Sequence, residues 1–174
     1  DEWVHHYYTD ARTGKWWFGQ IMDSVEDRLK FTTYDNIFIE SVKHIGDRVY
    51  MVTVKSGHEP RLVCAEPGDR FVLNTRTSAY DISDSTHERA PNMMIIQSSG
   101  DITLENVTIY GSPWLGGSIG LCWGKINFIN FGEKTKPGRL LCVNSDGLHV
   151  WRNRAGILVE NSTFMNNLDD HINT

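Results

Sequence analysis

Three aspartates are the residues of this chain best suited to chemistry. Asp146 sits in the run Asn144-Ser145-Asp146-Gly147, and Asp169 and Asp170 form a pair 23 residues further on, counted from Asp146 to Asp169. Gathering carboxylates is costly through like-charge repulsion, so a fold that does so needs a shared proton, a metal ion or a cationic partner to offset it. Glycoside hydrolysis uses such a group: one protonated carboxyl gives its proton to the leaving oxygen while a carboxylate activates water or attacks the sugar. Crowding raises the pKa of one member and so makes the acid. An oxygen-rich cluster also suits calcium. Each run taken singly is equally an ordinary polar turn, where Asp, Asn and Gly are favoured on backbone grounds.

What would bring the aspartates together is a repeat. ITLENVTIYG (102–111), INFINFGE (126–133) and ILVENSTFMNN (157–167) align on Asn106, Asn130 and Asn161, with steps of 24 and 31 residues. The longer step holds the turn-like Lys134-Thr135-Lys136-Pro137-Gly138 insertion. A second series, SIGLCW (118–123), DGLHVW (146–151) and DDHINT (169–174), is offset from the first. Periods of about 20–50 residues signal a solenoid, and the apolar positions alternate as in strands. The expected fold is therefore all-β: a right-handed parallel β-helix, partial and C-terminally truncated. Strands stacked about 4.8 Å apart make residues one period apart lateral neighbours. The recurrent Asn fits left-handed turn positions and can hydrogen-bond along the stack. A β-sandwich with coincidental spacing is the competing architecture.

The N-terminal region has a different grammar. IFIESV (37–42), RVYMVTV (48–54) and RLVCA (61–65) read as strands of antiparallel hairpins, punctuated by Gly46-Asp47, Ser56-Gly57 and Pro67-Gly68-Asp69. Residues 20–29 are compatible with a helix that lacks an apolar stripe, and the stretch with Trp16 and Trp17 gives no clear reading. The expected organisation is a small antiparallel β-subdomain over 1–67, either leading or inserted, followed by β-helix coils over 68–174.

The chain has 174 residues, is 40% hydrophobic and 22% charged, and carries a net charge of -5, as a globular protein does. The negative balance argues against nucleic acid or an anionic membrane as partner. No apolar run approaches the roughly 18 residues needed to span a bilayer. Cys64, Cys122 and Cys142 are too few and scattered for a disulfide scaffold or a metal site, and read as small buried hydrophobes. There is no phosphate loop, no G-x-S-x-G and no H-E-x-x-H, and no cofactor is expected. Trp114, Trp123 and Trp151 read either as a sugar-stacking platform or as core, with Trp123 and Trp151 ending equivalent strands. Asn106-Val107-Thr108 and Asn161-Ser162-Thr163 match a glycosylation acceptor pattern, but their place in the repeat makes them turn residues instead.

A family resemblance rests on these residues. Asn144-Ser145-Asp146-Gly147-Leu148-His149, Gly156-Ile157-Leu158-Val159-Glu160-Asn161 with Phe164, and Asp169-Asp170-His171-Ile172-Asn173 together resemble the active-site coils of β-helical glycoside hydrolases. The N-x-D-G and D-D pattern is similar to polygalacturonases, and the fuller arrangement resembles the bacterial exo-α-1,3-galactosidases of glycoside hydrolase family 110. The likeness spans about residues 68–174. It implies an inverting, metal-independent hydrolase that removes terminal α-linked galactose from a carbohydrate partner, secreted or periplasmic. By motif position it implies Asp169 as general acid and Asp146 with Asp170 as the water-activating pair. His149, His171, Asn144 and Asn173 would bind substrate. His171 stands where those galactosidases carry a small residue, which narrows or repurposes the pocket. The chain ends at Thr174 directly after the motif, where such solenoids continue, so a fragment of a longer enzyme is expected.

Two other functions compete. A calcium-dependent polysaccharide lyase would use the carboxylates as ligands, and a non-catalytic β-helix would only bind glycans. Oligomeric state has no signature in the sequence.

Overall fold

A computed structural model of the chain describes residues 17–30, 37–75 and 92–174. Among them the protein is nearly all-β, and it forms two compact units that part between residues 89 and 90. The sequence pattern changes at 68, but the units do not part there, because residues 70–75 pair within the first unit.

The first unit is an antiparallel sheet of β1 (Trp17–Met22), β2 (Ile37–Gly46), β3 (Val49–Val54) and β4 (Arg70–Thr75), in the order β3-β2-β1-β4. Asp47 and Arg48 turn the β2–β3 hairpin, with Arg48 in the left-handed region at φ 52°, as a tight hairpin loop requires. Phe18, Ile21, Met22, Ile37 and Ile39 are buried. Two sequence expectations are corrected here. Residues 20–29 are not a helix: 20–22 end strand β1, which pairs along its length with β4, and a turn follows. RLVCA is not a strand: Glu59–Leu62 form a 3-10 turn with Pro60 in its first positions, where its fixed φ and missing N–H are tolerated. Lys30 bridges Asp69 at 2.7 Å and Glu66 at 3.1 Å, and holds the Asp69 carboxyl below the usual range.

The second unit is built from ten short strands that pair only in parallel: β5 (Met94–Gln97), β6 (Ile102–Glu105), β7 (Thr108–Ile109), β8 (Gly117–Gly120), β9 (Ile126–Ile129), β10 (Gly132–Glu133), β11 (Leu148–Trp151), β12 (Ile157–Glu160), β13 (Thr163–Phe164) and β14 (Ile172–Asn173). They make three sheets, β14-β11-β8-β5, β12-β9-β6 and β13-β10-β7. The chain visits the three in the same order three times and then re-enters the first. This path is compatible with a parallel β-helix.

The register is the one the asparagines set: Ile102, Ile126 and Ile157 are lateral neighbours, as are Leu104, Phe128 and Val159. Asn106, Asn130 and Asn161 follow these strands at φ 57°, 49° and 50°, and Asn130 Nδ2 donates to Asn106 Oδ1 at 2.6 Å. Ser98, Leu121 and Arg152 repeat the same left-handed turn after β5, β8 and β11. Inside, Ile96, Ile119, Ile126, Phe128, Phe131 and Leu148 form the buried core with Met94, Leu104, Val150 and Val159 against it. Each such side chain contributes roughly 1.5–3 kcal/mol by leaving water. Among the described residues no helix is long and apolar enough to cross a membrane.

Candidate active site

The site forms where β11 and β14 begin. Leu148 pairs with Ile172 and His149 with Asn173, a step of 24 residues, so the residue lying opposite Asp146 is Asp170. Gly147 N–H donates to the Asp170 carbonyl at 2.9 Å and Leu148 N–H to the His171 carbonyl at 3.0 Å. These bonds fix the two acidic turns side by side. One oxygen from each of Asp146, Asp169 and Asp170 can be chosen so that all lie within 4.8 Å of one another. Asp146 is buried at 5% exposure, while Asp169 and Asp170 are exposed.

Two donors converge on one Asp146 oxygen. His149 Nδ1 lies 2.7 Å from Oδ2, which places a proton on that ring nitrogen, and Asn173 Nδ2 donates to the same oxygen at 3.2 Å. His149 and Asn173 are lateral partners on β11 and β14, so the sheet register itself aims both at the carboxylate. The other two residues expected to bind substrate sit differently. Asn144 Nδ2 donates to the Pro113 carbonyl at 3.1 Å and braces the turn of the preceding repeat. His171 is exposed, with its ring 6.5 Å from that of Phe164.

The tryptophans part company. Trp114 is buried and Trp123 is 60% exposed beside Gly100. Trp123 and Trp151 do not end equivalent strands, because the lateral partner of Trp151 is Gly120.

Beneath the site lies a residue the sequence did not reveal. Glu133 occupies an inward position of β10, between Ile109 and Phe164, and is fully buried. Its carboxyl reaches under the turn that carries Asp146: a Cβ on Gly147 would collide with Glu133 Oε2, and one on Gly116 with Oε1. Asn167 Nδ2 donates to Oε2 at 2.7 Å, while Oε1 is buried with no hydrogen-bond partner. Burial pushes the Glu133 carboxyl up from 4.5 to about 7, against the lowering effect of the Asn167 bond. The available signal was a mismatch in the repeat, a carboxylate where the neighbouring strands carry Ile109 and Phe164.

Cys122 and Cys142 are buried and Cys64 is partly exposed, all three as free thiols. In the first unit a hollow of about 270 Å³ is lined by Tyr50, Val52, Val54, Leu62 and Phe71, with Glu66 and Asp69 at its edge. Both carboxylates are engaged by Lys30.

No protein-family model matches the chain, and no curated protein matches it.

Proposed function

We propose that the chain carries the carboxylate centre of an inverting glycoside hydrolase built on a right-handed parallel β-helix, acting on terminal α-1,3-linked galactose as the family 110 galactosidases do. The observation that carries the reading is the convergence of Asp146, Asp169 and Asp170, one oxygen from each within 4.8 Å of the others. The NSDG and LDD runs that supply them are the ones on which the resemblance rests. In this reading Asp169 protonates the glycosidic oxygen as the bond to the anomeric carbon breaks. Asp146 takes a proton from the water that attacks that carbon, held for the purpose by His149 and Asn173. Asp170, lateral to Asp146, shares the water. Secretion or a periplasmic site follows from the same resemblance.

Inversion is the part that rests on the resemblance rather than on spacing. Nearest oxygens within 4.8 Å are closer to the roughly 5–5.5 Å of retaining carboxyl pairs than to the roughly 6.5–9.5 Å of inverting ones. The test is to incubate the protein with a panel of α- and β-galactosides and oligogalacturonides and follow the product anomer by NMR. Release of galactose with inverted configuration is expected; net retention overturns the inverting mechanism, and no turnover on any member overturns the hydrolase.

One observation favours a second reading. Two ligands at about 2.3–2.6 Å from one calcium ion lie at most about 5 Å apart, a span the three oxygens satisfy. A calcium-dependent lyase would lose activity to a chelator and give an unsaturated sugar product, whereas the hydrolase does neither.

A further inference from the structure

Trp151 leans across the first sheet of the second unit from β11 onto β8. Its lateral partner is Gly120, and a Cβ there would fall on the indole, with Cε2 the nearest atom and Cζ2 and Nε1 each at 2.5 Å. Cε2 is a ring-fusion carbon with no free edge, so a nearest contact at it comes through the ring face. The indole therefore lies face-down on the sheet, in space left by the missing glycine side chain. Its Nε1–H donates to Ser118 Oγ at 3.4 Å, and Ser118 is the lateral partner of His149. One face of the ring rests on Gly120, and Trp151 keeps part of its surface exposed. His149 and Trp151 are two apart on one strand, hence on one face and about 6.6 Å apart along it.

We infer that the face of Trp151 opposite Gly120 is a sugar-stacking subsite, which takes a second pyranose ring adjoining the one held at Asp146. The inference rests on the carbohydrate reading of the site and adds what it lacks, a place for the neighbouring unit of the glycan. A flat apolar face with a pinned N–H edge is the surface that a pyranose C–H face covers. The indole lies over β8 beside Ser118, the lateral partner of His149, which places the stacking face next to the His149–Asp146 pair. Because the ring is immobilised by Gly120 and Ser118 before binding, little side-chain entropy is lost on stacking.

The test measures binding apart from turnover. An Asp169→Asn background suppresses hydrolysis, and affinity for galactosyl-α-1,3-galactose and for methyl α-galactoside is measured by calorimetry. Trp151→Ala is expected to weaken the disaccharide about tenfold, the equivalent of about 1.4 kcal/mol and typical of one aromatic contact, and to leave the monosaccharide unchanged. Trp151→Phe should restore most of the loss. Gly120→Ala, whose Cβ lifts the indole while keeping it, should reproduce the loss without removing the ring. Equal disaccharide affinity in the parent and Trp151→Ala overturns the stacking subsite and leaves the hydrolase standing. Absence of binding to either sugar, together with absence of turnover by the unsubstituted protein, overturns the carbohydrate site and the subsite with it.

Discussion

His149 Nδ1 lies 2.7 Å from Asp146 Oδ2 across the entry to β11. The two residues are three apart in sequence, and the contact exists because Gly147 bends the chain between them. Asn173, brought alongside by the β11–β14 register, donates to the same oxygen. The carboxylate is thus held from its own strand and from the next.

In the hydrolase proposed, loss of the histidine should act on turnover more than on folding. Its side chain is 39% exposed and the Asn173 bond to the same buried oxygen remains, so His149→Ala should cost about 1–2 kcal/mol of stability. Misplacing a catalytic group by about 1 Å can cost on the order of 10²-fold, and kcat should fall by about that factor. Thermal melting and steady-state kinetics on the same preparation check both. A large drop in melting temperature with kcat intact would give His149 a structural role instead.

Removing the carboxyls themselves is a stronger intervention. General acid–base catalysis contributes about 10²–10⁴-fold per group, so Asp146→Asn and Asp169→Asn should each lower turnover at least 10²-fold. Asp169 is exposed, and its substitution should leave the urea midpoint close to that of the parent. Unchanged turnover in both variants would leave only a glycan-binding role.

The parts of this site differ in how far sequence exposed them. Asn106, Asn130 and Asn161 announced the register because each fills a left-handed turn, a position whose residue preference is strong and local. The aspartates were legible for the same reason, as turn residues at a repeating interval. Their partner assignment moved by one residue, since lateral pairing sets Asp146 against Asp170 and a turn motif alone does not fix registry. Strand β1 was illegible because its identity depends on β4, about 50 residues away, and nothing in residues 17–22 encodes that pairing locally. Asn144 reads as a site residue, yet its amide serves the neighbouring turn, a choice only packing makes.

Gly147 is required by contact. A Cβ there would meet the His171 carbonyl at 2.5 Å and Asn167 Nδ2 at 2.6 Å, besides Glu133 Oε2. The His171 carbonyl accepts from Leu148, so moving it opens the β11–β14 pairing that aligns the aspartates. Gly147→Ala should cost about 1–3 kcal/mol, as overpacking does, and abolish turnover. Gly156→Ala is the control, since a Cβ at Gly156 meets nothing within 4 Å. Equal urea midpoints for the two variants would contradict the account of the turn.

Thiol accessibility should sort the cysteines by unit. Burial, with the Glu133 carboxylate adding to it, pushes the Cys142 thiol up to about 12, and Cys122 is fully buried. The thiolate is the reactive form, so iodoacetamide at pH 8 should label Cys64 in the native protein and reach the other two only after denaturation. Mass mapping that finds native labelling at Cys142 would mean that the second unit opens readily.

Glu133 should make stability depend on pH in a direction set by its burial. Its carboxyl titrates at about 7 when folded, against 4.5 ordinarily, so the folded state binds this proton more tightly than the unfolded one. The contribution is fully present below pH 4.5, declines as pH rises from there, and is lost once pH passes about 7. The span corresponds to about 3 kcal/mol. A neutral carboxyl can donate a proton where an ionised one cannot, which suits a pair of side chains whose Glu133 Oε1 and Asn167 Oδ1 both lack partners. Glu133→Gln keeps the shape and supplies a permanent donor, so it should remove this slope and be more stable than the parent above pH 7. Subtracting the two unfolding curves cancels the titrating groups that do not sense Glu133, and Cys142, which does, titrates far above this window. A difference that stays flat between pH 4.5 and 7 would show that the carboxyl is solvated in the folded protein.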